Sequence, residues 1–174
     1  MSRSIGSQLP SDLRTALDGE RLDDRIGLTI LLLTTDEGGW PCVALLSVGE
    51  VVAPTPSSVR LALWPGTTAT RNLARSRKGT LALFGAGFAT YVRIETERGD
   101  DLLVGGRHHA YFRATIADVL RDDVTYARMT SGVTFELPDA ATVLARWKDT
   151  VAAMLAAGDG GGATVERPNS PDEA

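Results

Sequence analysis

The stretch Val59-Arg60-Leu61-Ala62-Leu63-Trp64-Pro65-Gly66-Thr67-Thr68-Ala69-Thr70-Arg71-Asn72-Leu73 changes character half-way. In residues 59–64 the larger apolar side chains Val59, Leu61 and Leu63 alternate with Arg60 and Ala62, which predicts a strand. Pro65-Gly66 breaks it. From Thr67 to Ser76 the pattern is that of a short helix capped by Thr67 or Thr68 and ending before Lys78-Gly79. A strand that delivers the chain to a helix N-terminus exposes free backbone amides. With several hydroxyls beside them and Arg71 one turn in, those amides suit a phosphate. An ordinary capped helix with a surface Arg71 accounts for the same residues.

Upstream, Pro10-Ser11-Asp12 predicts a first helix with Ser11 as its cap, stopped by Asp18-Gly19. Residues 29–34 and 41–47 are β-rich runs joined by Thr35-Asp36-Glu37-Gly38-Gly39-Trp40, and they predict an antiparallel hairpin. Both runs are more continuously apolar than alternating. Such a sheet is covered on both faces, by barrel interior on one side and by a helix or a second subunit on the other. Pro54 to Ser58 is expected to be a turn.

Downstream, strands are predicted over 80–84 and 90–97, with Tyr91, Arg93, Glu95 and Glu97 on one face and Val92 and Ile94 on the other. Gly99-Asp100-Asp101 reads as a turn, and residues 110–120 favour a strand over a helix. Pro138-Asp139 opens a closing helix in which Val143, Leu144, Trp147, Val151, Met154 and Leu155 keep helical spacing and Gly158 ends the element. One domain over residues 1–157 is expected, followed by a disordered tail over 158–174, rich in glycine, proline and acid.

Composition agrees with one globular domain. The chain has 174 residues, 43% apolar and 23% charged, with 18 Lys+Arg against 22 Asp+Glu for a formal charge of -4. No basic face announces nucleic acid. The N-terminus lacks the apolar core of a signal peptide, and the longest apolar run is too short to span a bilayer, so a cytoplasmic protein without a membrane partner is expected. The single cysteine, Cys42, excludes a disulfide framework and reads as a small buried thiol.

Several constellations fail on context. Gly85-Ala86-Gly87-Phe88 lacks the third glycine and the following helix of a dinucleotide site. Ser47 has Gly49 after it but Leu45 before it, which rules out a nucleophile elbow. His108 and His109 are adjacent and point to opposite faces of an extended chain, so they do not both face one metal without help, which leaves one of them free to contact a ligand. Asp100-Asp101 and Asp122-Asp123 are most simply solvated turn residues.

The order helix, apolar hairpin, strand, short Thr/Arg helix, further strands and closing helix resembles the pyridoxamine 5'-phosphate oxidase-like family of FMN-binding split-barrel proteins. The likeness covers roughly Leu13 to Leu155 and is carried most by residues 59–64 followed by 67–73, where Arg71-Asn72-Leu73 is similar to the family's Arg-Asn-Leu turn. It implies an α+β fold, an antiparallel split β-barrel with flanking helices, as one unit of a homodimer, with FMN in a groove at the interface. It would place Thr67, Thr68 and Arg71 at the phosphate, Leu63 and Trp64 beside the ribityl chain or ring, and Ser47 and Val48 near the isoalloxazine edge. The implied activity is an FMN-dependent oxidoreductase acting on a small molecule, with a deazaflavin, haem or cofactor-free module of the same fold as alternatives. The chain departs from the oxidases proper at Thr68-Ala69, where they carry an Arg-Lys pair, so two cations are missing from the implied phosphate grip. Arg71, or Arg93 or Arg113 from the other subunit, would have to substitute.

Overall fold

The structure, a computed structural model, describes residues 2–85, 88–122 and 129–158. In chain order its strands are β1 (Arg3–Ser4), β2 (Ile30–Thr35), β3 (Pro41–Leu46), β4 (Val51–Thr55), β5 (Ser58–Leu63), β6 (Lys78–Gly85), β7 (Phe88–Arg98), β8 (Leu102–Val104) and β9 (Arg107–Asp122). The helices are α1 (Ser11–Ala16), α2 (Thr68–Ser76) and α3 (Ala140–Ala156), with a 3-10 turn over Leu22–Arg25. The strands hydrogen-bond in the order β3-β2-β6-β7-β9-β5-β4, every pair antiparallel, and β1 and β8 add to the two ends of β9. The fold is therefore α+β, a curled antiparallel sheet with helices outside it.

β9 is the spine of this sheet. It pairs with β5 through residues 110–115 and with β7 through residues 112–122, so its middle is flanked on both sides. A bulge at Ala117, set between the pairs Arg93 with Asp118 and Ile94 with Ile116, bends it. Ile30, Leu32, Val59, Leu61, Leu81, Val92, Phe112 and Val119 are fully buried and fill the barrel interior. The sheet does not close on itself: β3 and β4 end the path and are not paired with each other.

Two side chains fix α3 to this barrel. Arg60, 5% exposed in the middle of β5, donates from Nη1 to the carbonyls of Met154 at 2.8 Å and Leu155 at 3.0 Å. The cation thus meets the orphan carbonyls and the negative dipole end of α3. Trp147 of α3, 3% exposed, lies flat on Gly49: a Cβ built there would stand 2.1 Å from its ring. Only glycine permits that approach, and the reason is steric, because the Gly49 backbone is not left-handed.

Several sequence expectations need correction. Ser11 is the first residue of α1 and not its cap; Pro10 occupies the cap position and no side chain closes it. Pro54 and Thr55 belong to β4, a strand the sequence reading placed partly in a turn; the turn itself is Pro56-Ser57. β8 was not foreseen either. Leu155 is 42% exposed and lies off the buried face of α3. Cys42 is half-buried and not a core thiol. The outer face of β3 is uncovered within one chain, with Val43 60% and Leu45 63% exposed and Trp40, just before it, 73% exposed. The expected tail from 159 onward, Ala86-Gly87 and Asp123 lie outside the described residues.

Candidate functional site

β5 ends at Leu63, and the turn Trp64-Pro65-Gly66, with Gly66 at φ +74°, carries the chain into α2. Thr67 caps α2: its hydroxyl accepts from the Thr70 amide at 3.3 Å, and its carbonyl accepts from the Arg71 amide at 3.1 Å. The amides of Thr68 and Ala69 are then the first-turn donors left without an intrahelical acceptor. Arg71 folds back over this end, donating to the Gly66 carbonyl at 2.5 Å and the Thr68 hydroxyl at 3.2 Å. Its guanidinium therefore sits at the helix N-terminus with only neutral oxygens as partners among the described residues.

α2 is held against the end of β2. Asn72, 5% exposed, donates from Nδ2 to the Thr34 hydroxyl at 3.1 Å, and Arg75 donates to the Thr35 carbonyl at 2.5 Å. Together with Leu73, fully buried, these contacts fix where the α2 N-terminus points.

Between that N-terminus, the end of β5 and the edge of β3 lies a groove of about 320 Å³, lined by Cys42 to Leu46, Leu63, Trp64, Thr67, Thr68 and Ala69. It occupies the gap where the sheet fails to close. β3 is the terminal strand, so alternate backbone N–H and C=O groups along it have no ladder partner. A second groove of about 300 Å³ begins on the other side of Leu45, Leu46 and Glu50, which line both. It is walled by Val133, Thr134, Phe135 and Leu137 and by Val143, Arg146 and Trp147 of α3. Trp64 stands beside the first groove with the His109 ring at 5.0 Å between centroids and the Arg146 guanidinium carbon 5.9 Å from its own centroid.

No family model matches the chain. It is 34% identical over 135 residues to the uncharacterized protein YclD of Bacillus subtilis (strain 168), a match that spans 78% of this chain and 88% of YclD. A crystal structure from Lactobacillus delbrueckii, provisionally described as a pyridoxamine 5'-phosphate oxidase, superposes with a TM-score of 0.54 at 17% identity over 67% of this chain and 98% of that one. This chain belongs to the YclD family and has the pyridoxamine 5'-phosphate oxidase-like split-barrel fold. An FMN-binding protein from Syntrophomonas wolfei aligns less well, with a TM-score of 0.41 at 16% identity over 64% of this chain and 88% of that one.

In this split barrel Leu63, Trp64, Thr67 and Thr68 come together at the first groove, and Arg71 reaches its rim through the Thr68 hydroxyl. Ser47 lies in the second groove, its amide and hydroxyl both donating to Glu50 Oε2 at 2.8 Å. Val48 is 1% exposed and lines neither groove; its side chain belongs to the core. Arg113 is 3.6 Å from Glu97 and Arg93 is 3.6 Å from Asp118. Arg113 lines a larger, polar cleft of about 710 Å³ that shares no residue with the two grooves. His109 is 4% exposed while His108 is exposed, and no cluster among the described residues could hold a metal. Sequence reasoning missed Glu50, Arg146 and the groove face of β3. For Glu50 a signal existed, since Ser47 and Glu50 have the Ser-x-x-Glu spacing at which a carboxylate reaches back to the backbone. Among the described residues no helix is long and apolar enough to cross a membrane.

Proposed function

We propose that this chain is a homodimeric FMN-binding oxidoreductase acting on a small molecule. The observation that carries this reading is the first groove: a slot along a free strand edge, apolar on its sides and ending at a helix N-terminus with two threonine hydroxyls and a cation. A flavin has the same sequence of chemistry, a flat ring with a hydrogen-bonding heteroatom edge at one end and a phosphate at the other. The unpaired N–H and C=O groups of β3 suit the ring edge, Leu63 and Trp64 suit its faces, and the Thr68 and Ala69 amides with Arg71 suit the phosphate. Bound flavin supplies the redox chemistry, while the chain supplies position and electrostatics.

The dimer rests on β3. Val43 and Leu45 form an exposed apolar row on an edge strand and also line the groove, so a second copy seated there would cover the row and wall the cofactor at once. Thr68-Ala69 leaves Arg71 as the one cation of the subunit's own phosphate grip. Charge-assisted hydrogen bonds are roughly twice as strong as neutral ones, so FMN is held less tightly than by a site with an Arg-Lys pair.

The test is a visible spectrum of the purified full chain before and after incubation with excess FMN and desalting. A retained flavin band is expected, and R71Q is expected to lose it while keeping its fold. At FMN one hundred times its Kd, the wild type should also gain about 2.7 kcal/mol of stability. A colourless protein that gains nothing from FMN overturns the reading. Retention of a deazaflavin in that case would move the assignment to that cofactor within the same groove.

A further inference from the structure

The second groove carries unmatched chemistry of its own. Its body is apolar and aromatic: Phe135 and Trp147 meet edge to face, 6.2 Å between centroids at 86°, and Val143 lies on the α3 side. Its volume of about 300 Å³ falls at the small end of ligand pockets. Thr29 lines it and is 5% exposed, and its hydroxyl is buried with no hydrogen-bond partner among the described residues.

The charged groups in the wall are Glu50 and Arg146. Glu50 Oε2 accepts from both the amide and the hydroxyl of Ser47, which hold the carboxylate in the wall shared with the first groove. Arg146 forms no ion pair among the described residues; its guanidinium meets only the Trp64 ring. Arg146 is therefore the cation in this wall without a carboxylate partner among the described residues, and it lies beside Trp64 of the first groove.

We infer that the second groove binds a small carboxylate with an apolar or aromatic body, the body against Phe135, Val143 and Trp147 and the carboxylate at Arg146. That this ligand is the molecule presented to the flavin rests on the function proposed above; the carboxylate site itself does not. The guanidinium orients the ligand, and its contact with Trp64 together with the shared wall at Leu45, Leu46 and Glu50 sets the ligand beside the first groove.

Phenylacetate and 4-phenylbutyrate are the probes, titrated into the full chain with no flavin added and followed by tryptophan fluorescence and calorimetry. Phenethylamine, of the same shape and opposite charge, is the control. Saturable binding of the carboxylates is expected, weakened roughly tenfold by R146Q and partly kept by R146K. Equal or tighter binding of the amine, no change in R146Q, or no binding of either carboxylate at millimolar concentration overturns the inference. Because these measurements need no cofactor, a failure here is distinct from a failure to retain FMN. In flavin-loaded protein, phenylacetate should also perturb the flavin band, and R146Q should abolish that perturbation.

Discussion

Gly49→Ala is the substitution whose consequence the structure fixes most tightly. A Cβ at this position would lie 2.1 Å from both Cγ and Cδ1 of Trp147 and 2.6 Å from its Cβ. Carbon atoms in contact prefer about 3.5–4.0 Å, so the indole must retreat by more than an ångström. The backbone itself raises no objection, and at such a site Gly→Ala ordinarily gains about 0.4–1 kcal/mol by restricting the unfolded chain. Steric overlap opposes that gain with about 1–3 kcal/mol if the core adjusts, and about 3–5 kcal/mol if the buried indole leaves its place. The sign is therefore destabilising. For a domain of this length each kcal/mol moves Tm by about 2–4 °C, so a net loss of up to about 4.6 kcal/mol gives a fall of up to about 18 °C in a circular dichroism melt. Trp147 is 3% exposed in the wild type, and its emission should shift to the red as it tilts toward solvent. Phenylacetate affinity should fall in step, because Trp147 is a wall of the second groove. The double variant Gly49→Ala, Trp147→Leu should be less destabilised than the sum of the single changes. An unchanged or raised Tm with unchanged emission would show that Trp147 does not rest on Gly49, and the placement of α3 would fall with it.

Asn72→Ala strands the Thr34 hydroxyl in a buried position and should cost about 1–3 kcal/mol by urea unfolding, whereas adding Thr34→Val should recover part of the loss. Leu45→Glu puts a charge in the exposed apolar row of β3; light scattering should show a folded monomer where the wild type is a dimer, and a monomeric wild type would refute the interface. Burial would raise the Asp18 carboxyl, but hydrogen bonds from Arg25 and the Glu20 amide and the nearby Arg25 and Arg21 charges outweigh it, so its pKa lies below the ordinary 3.8. A depressed folded-state pKa contributes stability above the unfolded value that is lost as pH falls through the folded one. Wild type and Asp18→Asn should thus differ in urea midpoint at neutral pH and converge well below pH about 4, with a modest gap because the carboxylate is about a third exposed.

The parts of the fold legible in the sequence are those where one local signal dominates. β2, β3, β5, α2 and α3 follow from apolar runs and caps, and Thr67 and Asp139 do close their helices, each accepting from the amide three residues on. β4 was hidden because Pro54 interrupts a run that is buried without alternation; the strand tolerates it because β4 ends the hydrogen-bonded path and needs donors on one side alone. β8 is three residues long, below what a periodicity can show, and exists because Gly105-Gly106 fold it onto β9. The same division holds for the site. Leu63, Trp64, Thr67 and Thr68 are nearly contiguous, so a single strand-to-helix junction announces them. The second groove joins Thr29, Ser47 and Glu50 to Arg146 and Trp147, about a hundred residues away, and no local pattern encodes that meeting.

One structural event makes both grooves. A closed barrel would pair the edge of β3 with the strand across the gap and leave neither a free backbone edge nor space between Leu46 and Leu63. Here the chain leaves β3 through Ser47-Val48-Gly49-Glu50, a turn tied by the Glu50 carboxylate and flattened by Gly49 so that Trp147 can sit on it. The turn therefore does three things: it sends the chain into β4 and keeps the barrel open, it lends Glu50 to the shared wall of both grooves, and it seats α3 so that Arg146 reaches the Trp64 ring. A larger residue at 49 would lift α3 and open the second groove, and it would reach the first only through Glu50 and the Arg146–Trp64 contact, because the other walls of that groove come from β2, β3 and the β5–α2 junction. The two grooves thus share Leu45, Leu46 and Glu50 and differ in the rest, the first being built on the β5–α2 junction and the second on α3.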